Sequence, residues 1–249
     1  MSRKREELLA AVIPASALRQ AGEANRAGRR DFAAALRHHK PAIISEAKKA
    51  SPSKGILVQD FQPATLARQY EQGGAAAMSV LTDRDFFHGS VADLQAARAA
   101  CSLPVIRKDF TIAEYHILEA AAMGADAILL IAAILDEAQM RAFRQMAAEF
   151  GMASLVEAHN ATEVDAALKS GAEILGVNNR DLNTFRVSLE TSIQLADRIP
   201  ADILRVSESG IFTGDDVKRL MAAGYDAFLV GEHLVKSGDP AAAIRELVA

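Results

Sequence analysis

Pro104-Val-Ile-Arg-Lys-Asp-Phe110 is a short β-branched run that ends on a Lys-Asp pair, and Thr111-Ile-Ala-Glu114 follows at once with the spacing of a helix capping box. A strand that delivers a lysine to its carboxyl end, just before a helix begins, has the layout of a parallel α/β unit, where chemistry gathers at the strand ends. Alternation puts Ile106, Lys108 and Phe110 on one face, and Val105, Arg107 and Asp109 on the other. Lys108 thereby shares a face with apolar residues, a setting in which burial and neighbours tune an amine's pKa. Taken alone, a lysine snorkelling to water is the simpler reading. Asp109, of opposite parity, reads as structural.

Outward from this unit the same rhythm continues. Short apolar runs predict strands at 42–48, 76–82, 104–108, 126–131, 153–157, 173–178, 202–207 and 226–230. Alanine-rich amphipathic stretches predict helices near 63–72, 90–100, 112–122, 136–149, 161–169, 189–197, 214–222 and 240–248. Ser90, Asp136, Thr162 and Thr213 are expected caps, and Asp239-Pro240 puts proline at a first helical position. Gly74, Gly124, Gly171 and Gly224 recur where a helix ends and the next strand begins. Eight βα units without a composition break predict one domain over 41–249, preceded by a helical segment over 1–40. An open doubly wound sheet would normally carry G-x-G-x-x-G after its first strand, and none is present. The count of eight suits closure, so the expected fold is a single (β/α)8 TIM barrel with an N-terminal helical extension.

Half the residues are hydrophobic, only 5% are aromatic and there is no Trp, so the core is expected to consist of Ala, Leu, Ile and Val. A net charge of −4 argues against a nucleic-acid or anionic-membrane partner. Residues 1–40 nevertheless carry nine Lys/Arg against four Asp/Glu, which reads as a solvated basic helix able to meet an anionic ligand. The single Cys101 excludes an internal disulfide and a multi-cysteine metal site. His38, His39, His88, His116, His159 and His233 are scattered without ligand spacing, so no metal is expected. No run of about 18 apolar residues suggests a membrane span, and no signal segment opens the chain. The expectation is a cytoplasmic protein, a monomer or weak homo-oligomer.

In a barrel, inward-pointing side chains at the carboxyl ends of the strands form the active site. The two-residue period aims Glu46 and Lys48, Lys108, Glu157, Asn178 and Glu208 into one bowl whose deeper layers are apolar. Any one of them reads as a structural ion pair. Six at one end of a barrel supply acids and bases whose pKa values their surroundings can separate. Ser51-Pro-Ser-Lys-Gly55, Ser209-Gly210-Ile211 and Gly231-Glu232 follow the first, seventh and eighth strands and are candidates for holding a phosphate through backbone donors. A Schiff-base role for Lys108 or Lys48 stays open.

Ser45-Glu-Ala-Lys-Lys-Ala-Ser-Pro-Ser-Lys-Gly55, Leu81-Thr82 with Phe86-Phe-His-Gly-Ser90, and Val105-Ile-Arg-Lys-Asp-Phe110 resemble indole-3-glycerol-phosphate synthase. So do Leu155-Val-Glu157, Gly176-Val-Asn-Asn-Arg-Asp-Leu182, Ser207-Glu-Ser-Gly-Ile211 and Leu229-Val-Gly-Glu232, in the family's order. The resemblance implies a barrel whose N-terminal helical segment packs over the active-site face. It also implies closure of 1-(2-carboxyphenylamino)-1-deoxyribulose 5-phosphate to indole-3-glycerol phosphate, with loss of CO2 and water, without a cofactor. By the family pattern Lys108 is the general acid, Glu157 the general base, and Lys48 contacts the substrate carboxylate and assists proton transfer. Glu46 orients Lys48, while Asn178 and Glu208 bind substrate hydroxyls. Ser51, Ser209, Gly210 and Gly231 hold the phosphate, Arg180 joins substrate binding, and Phe87 and Phe110 enclose the aromatic ring. The division of the acid role between Lys108 and Lys48 is left open.

Overall fold

Eight parallel strands close on themselves in chain order: β1 (Ala42–Ala47), β2 (Ala77–Leu81), β3 (Val105–Lys108), β4 (Ala127–Ile131), β5 (Ala153–Ala158), β6 (Ile174–Asn178), β7 (Leu204–Glu208) and β8 (Ala227–Val230). Pairing of β1 with β8, with Ile44 opposite Leu229, completes the ring. The structure, a computed structural model, describes residues 2–52, 54–182 and 184–249. Ser53, inside the expected phosphate loop, lies outside the described residues.

The helices are α1 (Ser2–Leu9), α2 (Ala15–Asn25), α3 (Phe32–His38), α4 (Pro63–Gly73), α5 (Arg84–Phe87), α6 (Val91–Ala100), α7 (Glu114–Met123), α8 (Glu137–Glu149), α9 (Ala161–Lys169), α10 (Glu190–Leu195), α11 (Gly214–Ala222), α12 (Glu232–Lys236) and α13 (Pro240–Val248). The eight predicted helices are all present, and short α5 and α12 are additions at the ends of β2 and β8. Ala50–Ser51 and Gly55–Ile56 form a small antiparallel ribbon after β1.

Parity explains why these apolar runs are strands buried on both faces. Ile44, Ile106, Leu129, Leu155, Val206 and Leu229 fill the barrel interior. Ile43, Val105, Ile128, Val156, Leu175 and Phe228 face the helices in a second, larger core. Ala47 and Ala158, next to two candidate catalytic positions, belong to that outer core. Every fully buried Ile or Leu contributes roughly 2 kcal/mol of transfer free energy.

Ser90, Asp136, Thr213 and Asp239 cap their helices as expected. Two starts differ. Asn160, not Thr162, accepts the N–H of Glu163 at the head of α9, because the chain turns into the helix two residues before the expected cap. Thr111–Glu114 is not a capping box, since α7 begins only at Glu114, with Ala113 in the cap position. The Ile112 N–H is instead taken by His116 Nδ1 at 3.1 Å. Gly74 and Gly124 end α4 and α7 in the left-handed region, with φ of 87° and 94°.

The extension is spread over three sides of the barrel. α1 reaches the carboxyl rim, where Lys4 Nζ sits 3.0 Å from Asp83 and 2.8 Å from Asp109. α2 packs along α7 on the flank, and Asn25 donates to the Ala121 and Ala122 carbonyls. α3 pushes Phe32 and Leu36 into the interior core at the opposite, amino-terminal mouth. There the Arg30 N–H and guanidinium bond Asp126 and the Leu103 carbonyl. The expected packing of residues 1–40 over the active-site face is therefore corrected: only α1 stands at that rim. Helical periodicity shows that a face is apolar without showing which surface covers it.

Candidate active site

Lys108 is the last residue of β3, so its side chain leaves the apolar interior exactly one layer above Ile106. It ends between two carboxylates, with Nζ 2.5 Å from Glu208 Oε2 and 3.3 Å from Glu157 Oε2. Glu157 comes from β5 and Glu208 from the end of β7. Beside them, Lys48 Nζ lies 2.5 Å from Glu46 Oε1, two residues back on β1. Asn178, the last residue of β6, hydrogen-bonds Glu157 through its side chain and accepts the Arg180 N–H on Oδ1 at 3.0 Å. The six inward residues predicted from parity thus meet in one bowl.

Close packing leaves room for these groups through missing side chains. A Cβ on Gly176 would stand 2.2 Å from Glu208 Oε1, and one on Gly231 would stand 2.5 Å from Glu46 Oε1. Gly231, expected at the phosphate, therefore also makes space for Glu46.

The bowl holds three carboxylates and two lysines in a shielded place. Burial disfavours the charge on Lys108, yet Glu208, Glu157 and Glu46 together hold its pKa above the ordinary lysine range. Glu46 is held below the usual carboxylate range despite its burial, because Lys48 and Lys108 stand beside it. Glu157 is likewise pulled well down against burial by Lys108 and His159. Glu208 goes the other way. Burial first, and repulsion from Glu157 next, push it up to about 7 in spite of Lys108. With one carboxylate more than there are lysines, Glu208 is the member of the bowl that takes up a proton most readily.

Around the bowl, Phe110 packs on Phe87 at 6.4 Å and on Phe86 at 6.0 Å between ring centres, an aromatic wall beside Lys108. After β7, Ser209 and Gly210 both take left-handed φ, 70° and 80°, and Asn179 Nδ2 grips the Ser209 carbonyl at 3.0 Å. After β8, Gly231 opens α12. Lys54 Nζ bonds Glu232 at 2.7 Å, joining the ribbon that carries Ser51 to α12. The Ser51, Ser209–Gly210 and Gly231 segments therefore follow β1, β7 and β8, the last two next to each other and β8 next to β1 in the ring.

A sequence model described as indole-3-glycerol phosphate synthase matches residues 1–247. The chain belongs to the indole-3-glycerol-phosphate synthase family. Family members from Polaromonas naphthalenivorans and Chromobacterium violaceum are each 51% identical to it over 250 residues, covering 98% of this chain and 95% and 94% of theirs. As a member, the chain is a carboxy-lyase of tryptophan biosynthesis. Among solved structures, thiamine phosphate pyrophosphorylase from Pyrococcus furiosus superposes with a TM-score of 0.63 at 18% identity, covering 83% of this chain and 93% of that one. The N-acetylmannosamine-6-phosphate 2-epimerase from Clostridium perfringens gives 0.64 at 18%, covering 82% and 91%. At that identity they share the barrel and no more. No helix among the described residues is long and apolar enough to cross a membrane.

Sequence reasoning missed two residues of the synthase fold, one beside this site and one within it. Lys4 reads as solvated and is almost fully buried against Asp83 and Asp109, the neighbour of Lys108. His159 reads as a stray histidine and lies against Glu157. Continuing the parity of β5 by one step past Glu157 would have found it.

Proposed function

We propose that the chain converts 1-(2-carboxyphenylamino)-1-deoxyribulose 5-phosphate to indole-3-glycerol phosphate, CO2 and water by lysine and glutamate acid-base catalysis. The observation that carries the reading is Lys108 Nζ held between Glu157 and Glu208, with the Lys48–Glu46 pair in the same bowl. The ring carbon bearing the carboxylate attacks the ketone while a proton reaches the ketone oxygen, and Lys108 is the donor. Loss of CO2 then restores aromaticity. The new hydroxyl departs as water with a second proton, and Glu157 accepts the proton released as the indole double bond forms.

Lys108 locked to a carboxylate at 2.5 Å is a poor acid. The substrate oxygen must take the place of Glu208, and a protonated Glu208 lets Lys108 go more readily than an ionised one. Lys48, oriented by Glu46, faces the substrate carboxylate and keeps the attacking ring in place until CO2 leaves. Asn178 and Glu208 bind the hydroxyls of the chain, and Phe87 and Phe110 cover the ring. Ser51, Ser209, Gly210 and Gly231 take the phosphate, with Arg180 at the rim. The family membership and the filled acid-base positions support this reading over a barrel isomerase of another chemistry or an inactive partner subunit.

Indole fluorescence is the test: purified protein mixed with the carboxyphenylamino ribulose phosphate should generate it at a rate proportional to enzyme. A flat trace at high enzyme concentration would sink the proposal.

A further inference from the structure

With all three carboxylates of the bowl ionised, their charge exceeds that of the two lysines by one, and the nearest further base is His159. It follows β5 at the same parity as Glu157, and its side chain is only 10% exposed. Its Nε2 lies 3.3 Å from Glu157 Oε1, while Lys108 Nζ approaches the other oxygen, Oε2, also at 3.3 Å. Glu157 is thus bracketed, one oxygen to each cation.

The ring is fixed from its far side. Glu163, in the first turn of α9, bonds His159 Nδ1 at 2.9 Å and also accepts the His159 backbone N–H at 2.8 Å. Glu163 is itself tied to the cap residue, whose Asn160 Nδ2 donates to its Oε1 at 2.6 Å. The helix start therefore clamps both the backbone and the ring of His159. Nε2 is buried and lacks a well-aligned partner, aimed at Glu157 without yet closing a straight hydrogen bond.

We propose that His159, held by Glu163, is a positioning residue for Glu157. It fixes which carboxylate oxygen turns to Lys108 and the substrate, and it supplies the third positive charge of the bowl. The inference rests on the assignment of Glu157 as the base. A carboxylate free to spin would present either oxygen to the proton it must collect. With Oε1 directed at His159, only Oε2 looks into the bowl. The surroundings favour a charged ring: burial opposes it, but the carboxylates of Glu157 and Glu163 outweigh burial and hold His159 up to about 10. The other charged groups facing Glu157 are Lys108 from β3, Glu208 from β7 and Glu46 from β1.

The test is a double-mutant cycle on steady-state kinetics with Glu157→Gln, His159→Leu and their combination, with His159→Gln as the milder variant. His159→Leu should lower kcat by about tenfold or more with KM little changed, as loss of such a support does elsewhere. It should also move the acid limb of kcat/KM to higher pH, since Glu157 loses a stabilising cation. His159→Gln, which keeps an N–H near the Nε2 position, should recover part of the rate. The combined variant should be no slower than Glu157→Gln alone. Additive losses, or a His159→Leu enzyme with wild-type kcat and pH profile while Glu157→Gln is impaired, overturn the inference and leave the base assignment standing. A fully active Glu157→Gln overturns the base assignment itself. If neither histidine variant folds, nitrogen NMR of the wild-type ring decides: a proton on Nε2 at pH 7 is expected, and a bare Nε2 overturns the proposal.

Discussion

Lys108 shows how the chemistry of one residue depends on its company. In an isolated strand end it would be a solvated lysine, and here it is enclosed by Glu157, Glu208 and Glu46 and stays charged. Replacing it with alanine removes the proton donor and leaves the carboxylates without their shared cation. Lys108→Ala should lose about 100-fold or more in kcat, the range of a general acid. It should remain folded by circular dichroism. A variant with near wild-type kcat would show that Lys48 carries the acid role. The inward set of Glu46, Lys48, Lys108, Glu157, Asn178 and Glu208 was legible from parity because strand side chains alternate without exception over these short spans. The histidine beyond β5 was not, because its link to Glu157 depends on Glu163 of the following helix, which holds the ring from its far side.

At the scale of an element, α1 is the clearest departure from sequence appearance. Its arginines and glutamates read as a solvated helix, yet Lys4 is 5% exposed and meets Asp83, Asp109 and Glu7. Asp109 also accepts from Arg107 and Thr82, so the helix is riveted to the loop that begins immediately after Lys108. Removing one partner from a buried ion cluster strands the others. Lys4→Met should cost on the order of 3 kcal/mol in urea unfolding. If the midpoint is unchanged, the buried cluster is not what docks α1. No hydrophobic pattern announces such an anchor. By contrast, the barrel strands and their helices were readable to within about two residues at most ends, because each carries its own apolar period and four of the helices are followed by a recurring glycine.

The molecule as a whole should feel acid through a group remote from the bowl. His116, in the first turn of α7, is buried, with Nδ1 accepting the Ile112 N–H, and burial next to Arg107 and Lys4 depresses it to about 4. A histidine whose folded pKa lies below its unfolded value stabilises the fold above about pH 6.5 and loses that contribution as pH falls towards 4. Between pH 7 and 4 the loss should amount to about 3 kcal/mol. His116→Gln should flatten this part of the stability curve, and an unchanged slope would assign the acid sensitivity elsewhere. The pattern of eight βα units made the barrel itself legible. The distribution of residues 1–40 around it was not, because their contacts lie with chain that is 80 to 120 residues away.

That distance has a consequence for how the protein is made. Residues 1–40, which leave the ribosome before any strand of the barrel, bond to Asp83, Asp109, Ala121, Ala122 and the Phe150 carbonyl, and Gly22 packs against Phe150 itself. Roughly 110 further residues, about 5–20 s of translation, separate the end of α3 from the last of these partners. The opening forty residues must therefore wait, apolar stripes uncovered, until half of the barrel has emerged. Residues 1–40 precede every strand of the barrel in the chain, yet they can dock only after its first four strands have been made.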